Sequence, residues 1–140
     1  MPEVPDDRRD EVVADDIPST LRYTDQHEWV RDDGEVLVIG ITAFAQDQLG
    51  DVVYVDLPTP GATVEAGQPF GEVESTKSVS DLFAPVAGEI IERNEELDDR
   101  PELVNADPYG EGWLVAMAPA DRSALEGLLD AGAYRQLIDS

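Results

Sequence analysis

From residue 21 onward the chain alternates short apolar runs with Gly, Pro and Asp punctuation. Residues 21–30 carry Tyr23, Trp29 and Val30, types that suit a strand. Asp32-Asp33-Gly34 is a turn signal, and residues 35–41 are a β-branched run that predicts a buried strand. Residues 42–50 change period: Phe44 and Leu49 give a short helix an apolar side, Thr42 can cap it, and Gly50 can end it. Residues 51–57 return to strand and stop at Pro58 and Pro60. Two further runs, 70–75 and 79–83, are close enough to make a hairpin, followed by a strand at 89–92. Residues 94–107 are polar, with one helical turn expected at 101–104, and 113–117 predicts another strand. Asp121 can cap a helix whose Leu125, Leu128 and Leu129 share one face, and a second short helix is expected at about 133–138. Trp29, Trp113, Phe44 and Tyr54 are expected in the core. Six or seven strands, a short internal helix and C-terminal helices predict a mainly β fold, a small β-sandwich or flattened barrel.

Charge changes this picture at the surface. Thirty-two acids stand against nine bases, a net charge of −23, while the apolar share is an ordinary 41%. The acidity has therefore replaced surface residues and left the core. Residues 1–19 hold seven acids and few large apolar side chains, which predicts a mobile tail ahead of a single domain over 20–140. An acidic coat repels nucleic acid and anionic membranes, so neither is an expected partner. It is read as adaptation to a salt-rich cytosol, where counterions screen self-repulsion; an acidic docking face for one basic partner is the competing explanation. There is no cysteine, no run of about 18 apolar residues, and no apolar signal region at the start. A cytoplasmic, prokaryotic protein is expected.

The sequence offers no reaction centre. Phosphate loops, nucleophile elbows and His-Glu-x-x-His are missing, and His27 is the only histidine, with no second histidine or cysteine to complete a metal site. With so many acids, carboxylate pairs arise by chance. One residue stands apart. Of the nine basic residues eight are arginine, and Lys77 is the only lysine. It lies at the expected hairpin tip, preceded by Glu74-Ser75 and followed by Ser80-Asp81. A lysine on a turn is usually a solvated charge. A unique one, on a flexible four-carbon stem with no catalytic groups beside it, suits an attachment point whose cofactor does the chemistry.

Six ordered motifs extend this reading: Tyr23-Thr24-x-x-His27-Glu28-Trp29-Val30; Ile39-Gly40-Ile41-Thr42 with Ala45-Gln46; Leu49-Gly50-Asp51-Val52-Val53; Val73-Glu74-Ser75-x-Lys77 with Ser80-Asp81; Ala84-Pro85-Val86-x-Gly88-Glu89; and Asp107-Pro108-Tyr109-Gly110-Glu111-Gly112-Trp113. Over residues 21–138 the chain resembles the H-protein of the glycine cleavage system, a lipoyl carrier. The resemblance implies a lipoyl-domain-like barrel-sandwich hybrid with lipoate in amide linkage on Lys77. It implies as partners the P-protein (glycine decarboxylase), the T-protein (aminomethyltransferase), the L-protein (dihydrolipoyl dehydrogenase) and a lipoate ligase or lipoyl transferase. It points to Glu28 and Asp81 as lining a cleft into which the loaded arm folds, and to Glu74, Ser75 and Asp81 as contacts for the ligase. Gln26, Thr76 and Ser78 depart from the family's more usual residues. A biotinyl domain or a 2-oxo-acid dehydrogenase lipoyl domain fits less well: no Met flanks Lys77, and the 107–113 motif has no counterpart there. A non-shuttling H-like paralogue, acting in lipoate relay or as an interaction protein, is the alternative.

Overall fold

The computed structural model describes residues 17–139. Residues 21–30, expected as one strand, divide into β1 (Arg22–Tyr23) and β2 (Glu28–Asp32). The break is a tight turn in which His27 N donates to Thr24 O (3.2 Å) and Thr24 N to Glu28 O (3.0 Å). Then follow β3 (Leu37–Ile41), α1 (Ala43–Leu49), β4 (Val52–Asp56), β5 (Thr63–Val64), β6 (Pro69–Ser75), β7 (Val79–Phe83) and β8 (Gly88–Arg93). After them come α2 (Glu96–Asp99), α3 (Leu103–Ala106), β9 (Val115–Pro119), a 3₁₀ turn (Arg122–Gly127) and α4 (Ala131–Asp139). The two strands beyond the expected count, β1 and β5, are two residues each, too short for a periodic signal.

All pairings are antiparallel. One sheet runs β1-β2-β3-β9-β8-β5 and the other β4-β6-β7. They remain two separate sheets, a sandwich with open edges. Leu37, Ile39 and Ile41 from β3 meet Val55, Val73 and Leu82 from the second sheet in the main core. The opposite face of β3 is also covered. Val38 joins Trp29, Tyr23 and Tyr134 in a second cluster under α4. Burial on both faces explains why β3 reads as an unbroken apolar run. Trp29 pairs with Gly40, and a Cβ at residue 40 would lie 2.6 Å from the indole ring, so glycine makes room for it. The indole Nε1 donates to Pro108 O (2.9 Å).

Two expectations fail for local reasons. Tyr54 is 55% exposed, not core. A register shift between Val52 and Tyr54 turns the strand over, so that Val55 points inward and Tyr54 outward. Phe44 and Trp113 are half-buried; only Trp29 is fully buried. The stretch after Asp121 is a 3₁₀ turn, not an α-helix. Asp121 does cap it, accepting from Ser123 N, but Arg122 pairs with Asp32 across to the β2–β3 turn and ties the segment down. Of the expected tail, residues 1–16 lie outside the described residues; Ile17 is buried in the second cluster and Pro18 O accepts from Tyr23 Oη (2.5 Å).

Candidate functional site

Lys77 sits where the sequence places it, exposed in the middle of the three residues that join β6 to β7. Ser75 builds that turn. Its amide donates to Ser78 O (2.8 Å), and its buried hydroxyl oxygen accepts from Lys77 N (3.2 Å) and Ser78 N (3.1 Å). The same hydroxyl donates to Ser78 O (3.2 Å). One side chain thus gathers the backbone on both sides of the lysine, leaving the amine free to project.

The turn is also braced from outside. Thr76 N donates to Asp51 O (3.0 Å), in the loop that leaves α1. Gly50 caps that helix at φ 83°, and a Cβ there would meet Lys77 Cε at 3.1 Å, so the lysine stem lies across bare backbone. Asn105 on α3 holds the loop: its Nδ2 donates to Gly50 O (2.8 Å) and Gln46 Oε1 (3.0 Å), and its Oδ1 accepts from Val52 N (2.8 Å). Asn105 was not singled out from the sequence. It lies in a polar stretch whose helix is a single turn, and nothing local marks it.

Beside the lysine turn opens a cleft of about 420 Å³. Phe44 and Leu49 of α1 form one wall and residues 79–82 of β7 the other. Ser78, next to Lys77, lies on its lining, and the Gln26–Glu28 turn closes one end. Asp81 lines it too and is exposed. Apolar walls and carboxylates therefore share one cleft at the base of the only lysine. Glu74 lies on the outer face of β6, exposed, between Tyr54 and Val79 in register.

Glu28 lines the cleft but is 2% exposed. Thr24 Oγ1 donates to its Oε1 (2.5 Å) and Phe83 N to its Oε2 (3.0 Å). Its carboxyl is pushed up to about 7, chiefly by burial; the two hydrogen bonds oppose the shift and nearby Asp25 adds to it. Glu28 is thus also a brace between the β1–β2 turn and the end of β7. Next to it His27 adopts φ 72°. Its Nδ1 lies 2.8 Å from Tyr134 Oη, which lies 2.7 Å from Thr42 Oγ1. Burial lowers the imidazole below its ordinary value, against the pull of Asp25. The same burial pushes the Tyr134 hydroxyl up to about 12.

Among the described residues no helix is long and apolar enough to cross a membrane. Comparison with known proteins gives a consistent result. The family model described as "Glycine cleavage H-protein" matches residues 21–140. The "Glycine cleavage system H protein" of Bacteroides thetaiotaomicron is 58% identical over 123 residues, covering 88% of this chain and 98% of that protein. The protein of the same description from Anaeromyxobacter sp. (strain K) is 55% identical over 124 residues, covering 89% and 97%. Among solved structures, a glycine cleavage system H protein from Mycobacterium marinum superposes with a TM-score of 0.79 at 41% identity, covering 89% of this chain and all of that one (100%).

Proposed function

The chain belongs to the glycine cleavage H-protein family, carriers and not themselves catalysts, and from that premise we propose that it holds lipoate in amide linkage on Lys77. The observation that carries this reading is the single lysine, raised on a Ser75-locked turn at the rim of a cleft with apolar walls and acidic lining. The residues fit such a group. Gly50 leaves the stem of Lys77 unobstructed, and acylation of the amine removes the charge that would keep it out of an apolar cleft. Lys77 would hold lipoate at the rim of the cleft, and the bound group would supply a disulfide able to carry the aminomethyl group of glycine, left once the carboxyl departs as carbon dioxide, from the P-protein to the T-protein and to pass electrons on to the L-protein.

This chain's own residues do the rest. Ser75 and the Gly50–Val52 loop present one fixed geometry to the lipoate ligase or lipoyl transferase, with Glu74 and Asp81 exposed beside it. Asp81 and Glu28 offer carboxylates to a cationic cargo in the cleft, and Phe44 and Leu49 keep water from the arm. Tethering gives each docked enzyme a high local concentration of the reactive group. The acidic coat suits a prokaryotic cytosol of high salt.

Intact mass of the protein from its own host, with peptide mapping, tests the reading. One lipoyl group on Lys77, and loss of glycine-dependent loading in a folded Lys77→Arg variant, is the expected result. A bare Lys77 in cells that lipoylate other proteins would favour the non-shuttling paralogue.

A further inference from the structure

His27 is the only histidine of the chain and, among the described residues, the only one other than glycine with positive φ. It closes a tight turn at a position where glycine or asparagine sits with less strain. Turn geometry alone therefore does not account for the ring. The ring lines the arm cleft, and it is held there by α4.

The direction of the protons follows from burial. Thr42 is fully buried, and its Oγ1 already accepts from Ala45 N (3.1 Å). Among the described residues the acceptor within reach of its own proton is Tyr134 Oη. A buried hydroxyl donates where it can. Tyr134 therefore accepts from Thr42 and donates to His27 Nδ1, which leaves the imidazole proton on Nε2. Protonating Nδ1 would leave either the Tyr134 or the Thr42 hydroxyl proton without an acceptor in the relay.

We propose that the Thr42–Tyr134–His27 relay makes His27 a positioning residue of the cleft, held as the neutral Nε2–H tautomer so that the wall opposes no positive charge to the arm's cationic cargo. This rests on the carrier reading above. The ionisable groups around the ring are Asp25 on its own turn, Glu28 on β2, Asp81 across the cleft on β7, and Tyr134 on α4. Asp25, as a carboxylate, favours an imidazolium; burial and the Tyr134 O–H oppose it. The relay makes α4, far from Lys77 in sequence, part of the apparatus that holds the arm.

Tyr134→Phe is the test. It keeps the ring stacked on Tyr23 (centroids 4.8 Å, 10° between planes) and removes only the hydroxyl. Ring-nitrogen NMR on the unmodified chain reads the sole histidine directly. The wild type should show the Nε2–H tautomer and Tyr134→Phe a mixture. On the lipoylated chain loaded with glycine and the P-protein, Tyr134→Phe should shorten the lifetime of the loaded arm in water about tenfold, the order expected of one lost buried hydrogen bond. His27→Asn, which tolerates the left-handed backbone, should do the same, and lipoylation of Lys77 should stay at the wild-type rate in both. An Nδ1–H tautomer in the wild type, or an unchanged lifetime in both variants, would overturn the proposal. A wild-type chain that is lipoylated but never loaded would overturn the carrier reading and with it the role of His27 toward cargo, while the tautomer would still decide whether the relay exists.

Discussion

Replacing Ser75 by alanine removes one oxygen from the lysine turn and with it three hydrogen bonds, to Lys77 N, Ser78 N and Ser78 O. Each such bond contributes about 0.5–1.5 kcal/mol, but Thr76, Lys77 and Ser78 are exposed, so water replaces much of what is lost; the net cost is about 1 kcal/mol. For a domain of this size that lowers Tm by about 3–5 °C. The functional effect should be of another kind. A turn that is locked by about 1 kcal/mol less presents the lysine correctly for a smaller fraction of the time, which raises apparent KM for the ligase by at most about fivefold. The assay is an intact-mass time course with limiting lipoate ligase, wild type beside Ser75→Ala and Ser75→Thr. Ser75→Thr keeps the oxygen and should recover most of the rate. Wild-type lipoylation kinetics in a Ser75→Ala protein that melts lower would refute the reasoning, leaving Ser75 a contributor to stability alone.

Gly40→Ala should lower Tm by roughly 5–10 °C, since overpacking costs about 1–3 kcal/mol and the Trp29 ring 2.6 Å from the new methyl is pinned by Pro108; differential scanning calorimetry reads it. Glu28 has a carboxyl near 7 in the fold against an ordinary 4.5, so the folded chain binds more protons between those values. Its stabilising contribution is full below about 4.5 and is lost as pH rises to about 7; Glu28→Gln should therefore gain on the wild type across that window, by about 3 kcal/mol at most, and parallel urea-unfolding curves at pH 4.5 and 8 would expose a missing gain. Asn105→Ala should slow lipoylation although residue 105 is 28 positions from the lysine, because Gly50 O and Val52 N lose their partner; an unchanged rate would separate α3 from the turn. With a net charge of −23, Tm should rise between 0.1 and 1 M KCl as the Debye length falls from about 10 to 3 Å; a flat response would favour an acidic docking face over salt adaptation.

Much of the site was legible from the chain because it is local. The hairpin strands β6 and β7 fall where two short runs close in sequence put them, and the lysine falls at their tip. Thr42 and Gly50 mark the ends of α1 by residue type alone. What escaped depends on contacts distant in sequence. The bulge that turns Tyr54 outward leaves no trace in residue types. Nor does the link from Asn105 to Gly50, or from Tyr134 to His27, since each joins segments more than fifty residues apart. Glu28 was read as a cleft carboxylate, which it is by position, but its bonds to Thr24 and Phe83 also make it a brace. His27 stood out in the sequence only as a lone histidine with no metal-site partner; its backbone conformation and its bond to Tyr134 distinguish it.

The pinning of α1 has a consequence in the order of synthesis. A ribosome delivers Lys77 before Asn105, which braces the C-terminal end of that helix, before Tyr109, whose hydroxyl accepts from Ala43 N (3.0 Å), and before Tyr134. Strand β3 likewise waits for β9. The turn around the lysine can close on Ser75 alone, yet the cleft wall beside it is unfinished until residue 134 has emerged. A ligase that meets a nascent chain meets the amine without its shelter. If Lys77 is acylated as proposed, folding before modification is the order that shelters the arm, and a chain acylated too early would expose it to solvent and to quality control.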